Sequence, residues 1–236
     1  MSPLIELRGL TKTYGRGDAA FQALRGVDLK IQRSEFLAVM GPSGSGKSTL
    51  MNLLGCLDSS TSGSYLFDGI AVESLANDQR SLLRRHALGF IFQGFNLLAR
   101  TTALENVELP LLYRGYTRKR RHEMAREALA SVGLPNKERN TPAELSGGQQ
   151  QRVAIARAIV TSPGTLFADE PTGNLDSTTT REVMELLCRL NEDLGITILM
   201  VTHEDDVAHF AKRIVHVHDG LISSDEINSK RMNHRH

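Results

Sequence analysis

Residues 41–48 read Gly-Pro-Ser-Gly-Ser-Gly-Lys-Ser, which fits the pattern G-x-x-x-x-G-K-[ST]. Phosphate binding requires these residue types. Glycines let successive backbone N–H groups converge on an anion without Cβ obstruction. The amino terminus of a following helix adds favourable potential for negative charge. Gly41, Ser43, Gly44, Ser45 and Gly46 are the candidate cradle. Lys47 is expected between the β- and γ-phosphates, Ser48 on Mg²⁺ and Thr49 beside the α-phosphate. A Gly/Ser-rich turn ahead of a helix is the bland alternative, but an apolar strand at 36–40 runs straight into this loop and a helical pattern leaves it. That is the arrangement a nucleoside triphosphate site needs.

A second group of polar residues ends another apolar run. Residues 166–170 read Leu-Phe-Ala-Asp-Glu. An aspartate at the carboxyl end of a buried parallel strand faces the crevice where such sheets bind ligands. Asp169 offers Mg²⁺ the oxygen ligand it prefers, directly or through water. Glu170 points elsewhere, as successive strand residues do, and suits a general base for an attacking water. An acidic pair alone often just closes a strand at the surface; beside a phosphate loop the chemical reading prevails. His203 follows the run at 197–202 and should project into the same crevice.

The elements that must position these groups are legible in outline. Apolar runs predict strands at 4–8, 23–31, 36–40, 63–67, 165–169, 197–202 and 213–218. Three of them, ending at Met40, Asp169 and Thr202, are apolar nearly throughout, as strands buried on both faces are. Helical spacing appears after Gly46, around Met124–Val132 with Thr117 as cap and Gly133 as stop, at Val153, Ala156 and Ile159, and from Val183 to Leu194 ahead of Gly195. The stretch 94–161 is helical in pattern, so an α/β core interrupted by a helical insertion is the expected layout.

Composition excludes several classes. Hydrophobic residues make up 40% and charged residues 23% of the 236, a globular balance rather than a disordered or fibrous one. Lys and Arg (28) nearly cancel Asp and Glu (27), which argues against nucleic-acid binding by bulk charge. Two cysteines, Cys56 and Cys188, fit packing in a reducing compartment better than a disulfide framework. The start of the chain lacks a signal-peptide layout, and no apolar run nears 18 residues, so a cytoplasmic chain without membrane insertion is expected.

Leu145-Ser146-Gly147-Gly148-Gln149 decides the family. Ser146 and Gln149 fit a helix capping box, but two glycines in a first turn are poor helix formers unless the backbone must approach something closely. Followed by QQRVAIARA, this run resembles the LSGGQ signature of ABC transporter ATPases, and the resemblance covers essentially the whole chain. It implies an α/β P-loop NTPase fold: a RecA-like core with a parallel sheet plus an antiparallel β subdomain, and an inserted α-helical subdomain. The corresponding division is 1–93 and 162–227 for the core, 94–161 for the helical subdomain and 228–236 for a flexible tail.

Residue by residue, the resemblance implies that Tyr14 stacks on adenine, that 41–49 is the Walker A loop, and that Gln93 is the Q-loop glutamine at the γ-phosphate and metal. Asp169 and Glu170 match the Walker B acid and the catalytic glutamate, 173–176 ending at Asp176 the D-loop, and His203 the switch histidine. ATP and Mg²⁺ are the implied cofactors. A head-to-tail homodimer is implied, with Ser146, Gly147, Gly148 and Gln149 of one chain covering the phosphates bound at Lys47 of the other.

The runs MNLLGCLD, TALENVELPLLYRG and FADEPTGNLD look like the MacB/LolD-type subfamily, whose members energise permeases for macrolide or peptide export or lipoprotein extraction. A separate permease subunit is therefore expected, holding this chain on the inner face of the cell membrane. The alternative is a soluble ABC ATPase acting on nucleic acid or ribosomes, but such proteins carry coiled coils or tandem ATPase domains, absent here. A GTPase would need an N-K-x-D motif, and the Asn136-Lys137 pair continues Glu-Arg. The basic run Arg114, Arg118, Lys119, Arg120 and Arg121 is read as a solvated helix face, because Glu123 and Glu127 lie close by. His216 and His218 share a strand face without the further ligands a metal needs.

Overall fold

A computed structural model of the protein describes residues 2–229 and 231. Its centre is a six-stranded sheet, β10-β9-β3-β8-β7-β6 in spatial order. The strands are β3 (Phe36–Met40), β6 (Leu88–Phe92), β7 (Thr165–Asp169), β8 (Thr197–Val201), β9 (Arg213–His218) and β10 (Leu221–Ile227). All pair in parallel except β10, which returns antiparallel along β9 at the edge. Strands β3 and β8 are buried at all five positions, which explains why their sequences are apolar without alternation.

Their side chains still alternate between two cores. Phe36, Ala38 and Met40 of β3, with Ile198 and Met200 of β8, face one cluster, whereas Leu37, Val39, Leu199 and Val201 face the other. The first core is closed by helices: α3 (Ala103–Tyr113), α4 (Arg118–Ser131), α5 (Gly147–Ile159), α6 (Ser177–Leu194) and the short α7 (Asp205–Ala208). The second holds α1 (Lys47–Leu54) and an antiparallel sheet, β2-β1-β4-β5. That sheet comprises β1 (Ile5–Tyr14), β2 (Phe21–Ile31), β4 (Ser62–Phe67) and β5 (Ile70–Ala71). The remaining helix, α2 (Asn77–Ala87), buries none of its residues.

Helix ends follow their local chemistry. Asp176 caps α6 by accepting from the amides of Thr178 and Thr179, and Gly195, at φ +65°, ends it in the left-handed conformation. Thr117 caps α4 and Thr102 caps α3 with Glu105 completing the box. Helices α3, α4 and α5 pack on one another, and α5 packs on α6 and β6. Of the tail 228–236, expected to be flexible, residues 230 and 232–236 lie outside the described ones. Asn228 within it donates to the His209 and Ala211 carbonyls. Both cysteines are buried, and burial pushes the Cys188 thiol up to about 11, so neither is a poised nucleophile.

Candidate active site

The strand ends line up because the ladders are in register: Phe92 pairs Asp169, Asp169 pairs Val201 and Val39 pairs Val201. The loop after β3, the His203 turn after β8, the Asp169-Glu170 pair at the end of β7 and Gln93 after β6 therefore sit side by side along one edge. This is the crevice at the carboxyl ends of a parallel sheet.

The loop itself is shaped by a glycine no other residue can replace. Gly41 has φ +148°, and a Cβ there would stand 2.1 Å from the Val217 carbonyl oxygen of the adjacent strand. The backbone thus leaves β3 pressed against β9 and turns into α1, whose N-cap is Gly46. Lys47 is buried, and its ammonium donates to the carbonyls of Gly41 (2.7 Å) and Pro42 (2.9 Å) of its own loop. Ser45 is buried, its hydroxyl oxygen has no hydrogen-bond partner among the described residues, and its carbonyl accepts from the Gly220 amide. Ser48 is exposed and Thr49 partly so.

Glu170 departs from the strand. At φ +43° it occupies the left-handed region, a conformation that costs a non-glycine residue on the order of 1 kcal/mol and persists only when its surroundings fix it. Two backbone bonds do so: its amide donates to the Val201 carbonyl (2.9 Å) and its carbonyl accepts from Gly173 (3.2 Å). The turn swings the carboxylate to the His203 ring, with Oε1 2.8 Å from Nδ1. Asp169 stays behind, half-buried. Burial, then the neighbouring Glu170 charge, push its carboxyl above the usual range, while Lys47 opposes them.

Gln93 is exposed, its carbonyl accepts from Asn174 Nδ2 (2.9 Å), and its side chain lies against Gly173. Tyr14 ends β1. Its hydroxyl donates to Asp58 (2.9 Å) with Thr49 beside it, and Lys12 Nζ stands 4.8 Å from the ring centroid while bonding the same carboxylate.

Ser146, Gly147, Gly148 and Gln149 form a separate group. The Ser146 hydroxyl accepts from the Gln149 amide (3.3 Å) and the Gln149 side chain accepts from the Ser146 amide (3.1 Å), a capping box at the start of α5. Gly148 sits where a Cβ would come within 2.3 Å of the Thr179 methyl, so α5 begins tight against the start of α6. Asp176 belongs to this second group through Thr179, whose hydrogen bonds hold its carboxyl below the usual range. Among the described residues, no hydrogen bond or ion pair joins 146–149 to 41–49.

Several supporting residues have no motif to announce them. Lys12 and Asp58 set the Tyr14 ring, Gln151 is buried and donates to the Pro171 carbonyl just after Glu170 (2.6 Å), and Arg157 and Asn174 grip the backbone around Gln93. Their partners are mostly carbonyls, which leave no trace in residue type.

Residues 24–173 match the ABC transporter family. The chain belongs to that family. This ABC cassette is 53% identical over 221 residues to a macrolide export ATP-binding/permease protein MacB of Syntrophobacter fumaroxidans, covering 93% of this chain and 31% of the relative. It is 50% identical over 225 residues to the pyoverdine export ATP-binding/permease protein PvdT of Pseudomonas syringae, covering 95% of this chain and 34% of that one. The cassette thus spans about a third of the length of the curated relatives it matches. Among solved structures, an ATP-binding cassette dimer in a post-hydrolysis state bound to ADP and Pi aligns with TM-score 0.87 and 44% identity over 94% of this chain and 98% of that one.

The residues at the crevice suit Mg²⁺ in kind. Ser48, Asp169 and Gln93 all offer oxygen, the ligand this ion prefers, and the ionised form of Asp169, disfavoured by burial and then by the Glu170 charge, gains from a cation. That penalty has a measurable sign. The raised carboxyl of Asp169 means its ionised form is disfavoured in the fold. The penalty is absent below the ordinary aspartate value of about 3.9. It grows as pH climbs to the folded value and stays in full above it. Asp169→Asn is therefore expected to raise the melting temperature of the nucleotide-free ABC cassette by a few degrees at neutral pH, with the gain vanishing in acid. A lower melting temperature at neutral pH would contradict this account of burial and like charge at Asp169.

Proposed function

We propose that this chain binds and hydrolyses ATP as the nucleotide-binding subunit of a membrane export transporter of the MacB/LolD type, working on a separate permease. The observation that carries the reading is the Glu170–His203 contact set beside the Lys47 loop, on a chain about half identical to export ATP-binding/permease proteins over more than nine-tenths of its length. Those relatives favour transport over a soluble role on nucleic acid or ribosomes.

In this reading Tyr14 stacks on the adenine, and the amides from Gly41 to Thr49 surround the phosphates. The Lys47 ammonium exchanges the Gly41 and Pro42 carbonyls for phosphate oxygens, so it is held in place before the nucleotide arrives. Mg²⁺, held by Ser48 and Asp169 with Gln93, would neutralise phosphate charge. Glu170 takes the proton of the attacking water, and His203 holds the Glu170 carboxylate in position. The isolated half-site at Ser146–Gln149 and Asp176 finds its phosphate in a second copy: two chains close head to tail over two ATP molecules, and hydrolysis releases them. Residues 94–161 act as the helical subdomain carrying Ser146–Gln149, and Asp176 joins them from the core segment 162–227.

The permease contact follows Gln93. A groove of about 590 Å³ opens between α2, β6, α3 and α5, lined by Leu57, Phe90, Phe92, Leu109, Pro110 and Tyr113. Tyr113 is 70% exposed and Leu57 48%; outside that lining, on the segment after Gln93, Leu98 is 49% exposed whereas Leu97 packs on the core. A groove rimmed by exposed apolar side chains suits a short amphipathic cytoplasmic segment. That segment would belong to a permease, which keeps the chain on the inner membrane face; no described helix is long and apolar enough to cross a membrane itself.

The test is purification of the chain from membranes with its permease, followed by ATPase assays of the complex. Leu98→Asp is expected to leave the basal ATPase of the isolated chain intact and to remove its stimulation by the permease. Loss of basal activity would point to a folding role for Leu98, and unchanged stimulation would remove the docking role.

A further inference from the structure

Just beyond Gln93 the backbone passes through two consecutive left-handed residues, Phe95 (φ +59°) and Asn96 (φ +49°). Neither is glycine. Such a pair persists only where the surroundings hold it. The holding group is Arg157 of α5, whose guanidinium donates to the Phe95 carbonyl (2.8 Å) and the Asn96 carbonyl (2.5 Å). Among the described residues no carboxylate pairs with Arg157, although it is partly buried and that burial draws its pKa down. A guanidinium placed there without a counter-charge, with both ends of its fork on successive carbonyls, is poorly explained by packing alone. From the opposite side Asn174, four residues after Glu170, donates to the Gln93 carbonyl (2.9 Å).

We propose that Arg157 is a positioning residue for Gln93. It fixes the left-handed pair and so the direction in which the chain leaves Gln93, while Asn174 fixes Gln93 itself. Gln93 is thereby tied to two elements at once: the helix that begins with Ser146–Gln149 and the loop that follows Glu170. Any rotation of α5 as the second copy closes over the nucleotide is passed through the Arg157 fork to Gln93. Asn96 and Arg157 also line the groove beside Phe90 and Tyr113, so a docked permease segment bears on the same clamp. The proposal rests on the reading of Gln93 as a group at the γ-phosphate.

The experiment is a double-mutant cycle on the full chain with Mg-ATP, comparing Arg157→Met, Gln93→Ala and the combined variant. Arg157→Met is expected to lower kcat by about 10- to 100-fold, as a misplaced group does, with KM for ATP little changed. The combined variant should then be no slower than Gln93→Ala alone, because Arg157 acts only through Gln93. Arg157→Lys, which keeps the charge and reaches one carbonyl, should fall between wild type and Arg157→Met and serves as the test if the methionine variant does not fold. Hydrogen exchange should show faster uptake at 94–98 in either variant while the rest of α5 keeps its protection. Losses that multiply in the combined variant, or a raised KM with normal kcat, overturn the positioning role while leaving the Gln93 reading intact. Wild-type turnover in Gln93→Ala removes the Gln93 reading and this proposal with it.

Discussion

Glu170→Gln is expected to cut ATP turnover by ~10²–10⁴-fold, about 3–5 kcal/mol of barrier, while ATP binding persists. The expectation follows from how the residue is built in. Its left-handed backbone is held by bonds to Val201 and Gly173 that an amide side chain does not disturb, so the substitution leaves the fold of the turn unchanged. What changes is the side-chain oxygen facing His203, which can no longer take a proton from water. The phosphate loop lies on a different strand and keeps its affinity. Because hydrolysis is what separates the two copies, the variant should accumulate as an ATP-bound dimer in size exclusion, at concentrations where the wild type runs as a monomer. His203→Ala should lose less, since it removes the group that orients the carboxylate and leaves the carboxylate in place. Near-normal hydrolysis by Glu170→Gln would take the general-base role away from Glu170.

How much of this was legible in the sequence varies with the kind of interaction. Strands β3 and β7 run as their apolar residues indicate, residue for residue, because burial at nearly every position leaves little freedom in residue type; β9 does so too, although only Val215 and Val217 of it are buried. Thr117, Gly133 and Gly195 mark their helix ends by backbone chemistry that acts within a few residues. Helix α2 was not foreseen because it has no buried face and hence no apolar stripe to read. Helix α3 hides behind Pro110, which reads as a breaker although Thr102 and Glu105 cap its start. Strand β6, interrupted by Gly89, is too short an apolar run to distinguish from helix or loop, and β10 is an edge strand with no hydrophobic face.

The chemistry divides in the same way. Lys47, Asp169, Glu170 and His203 stand out because each follows a strand the sequence already delimits. The left-handed turn of Glu170, and the Arg157 and Asn174 bonds to backbone carbonyls, arise from tertiary placement alone. No spacing rule points to an arginine 64 residues past the glutamine whose path it sets.

Two substitutions in different half-sites should separate binding from assembly. Lys47→Ala is expected to weaken ATP binding by ~10²-fold or more, since each charge-assisted hydrogen bond to phosphate contributes about 1.5–3 kcal/mol and the ammonium has room for at least two. Its present contacts with the Gly41 and Pro42 carbonyls show that the side chain reaches back over the loop. Ser146→Arg should behave oppositely. Among the described residues it makes no hydrogen bond or ion pair to 41–49 in its own chain, so ATP affinity should hold, but a long cation where the second copy's nucleotide must sit blocks closure. It also removes a helix cap, which costs about 1 kcal/mol, so Ser146→Ala is the needed control: the same lost cap without the obstruction. Equilibrium binding with a fluorescent ATP analogue and size exclusion in ATP give the two readouts. Ser146→Arg should bind and stay monomeric, Ser146→Ala should bind and dimerise, and Lys47→Ala should do neither. The wild-type ATPase rate should also rise faster than linearly with protein concentration while the dimer is forming. Equal loss of nucleotide in the Lys47 and Ser146 variants would mean that both residues touch the same bound molecule within one chain, and the two-copy site would have to be abandoned.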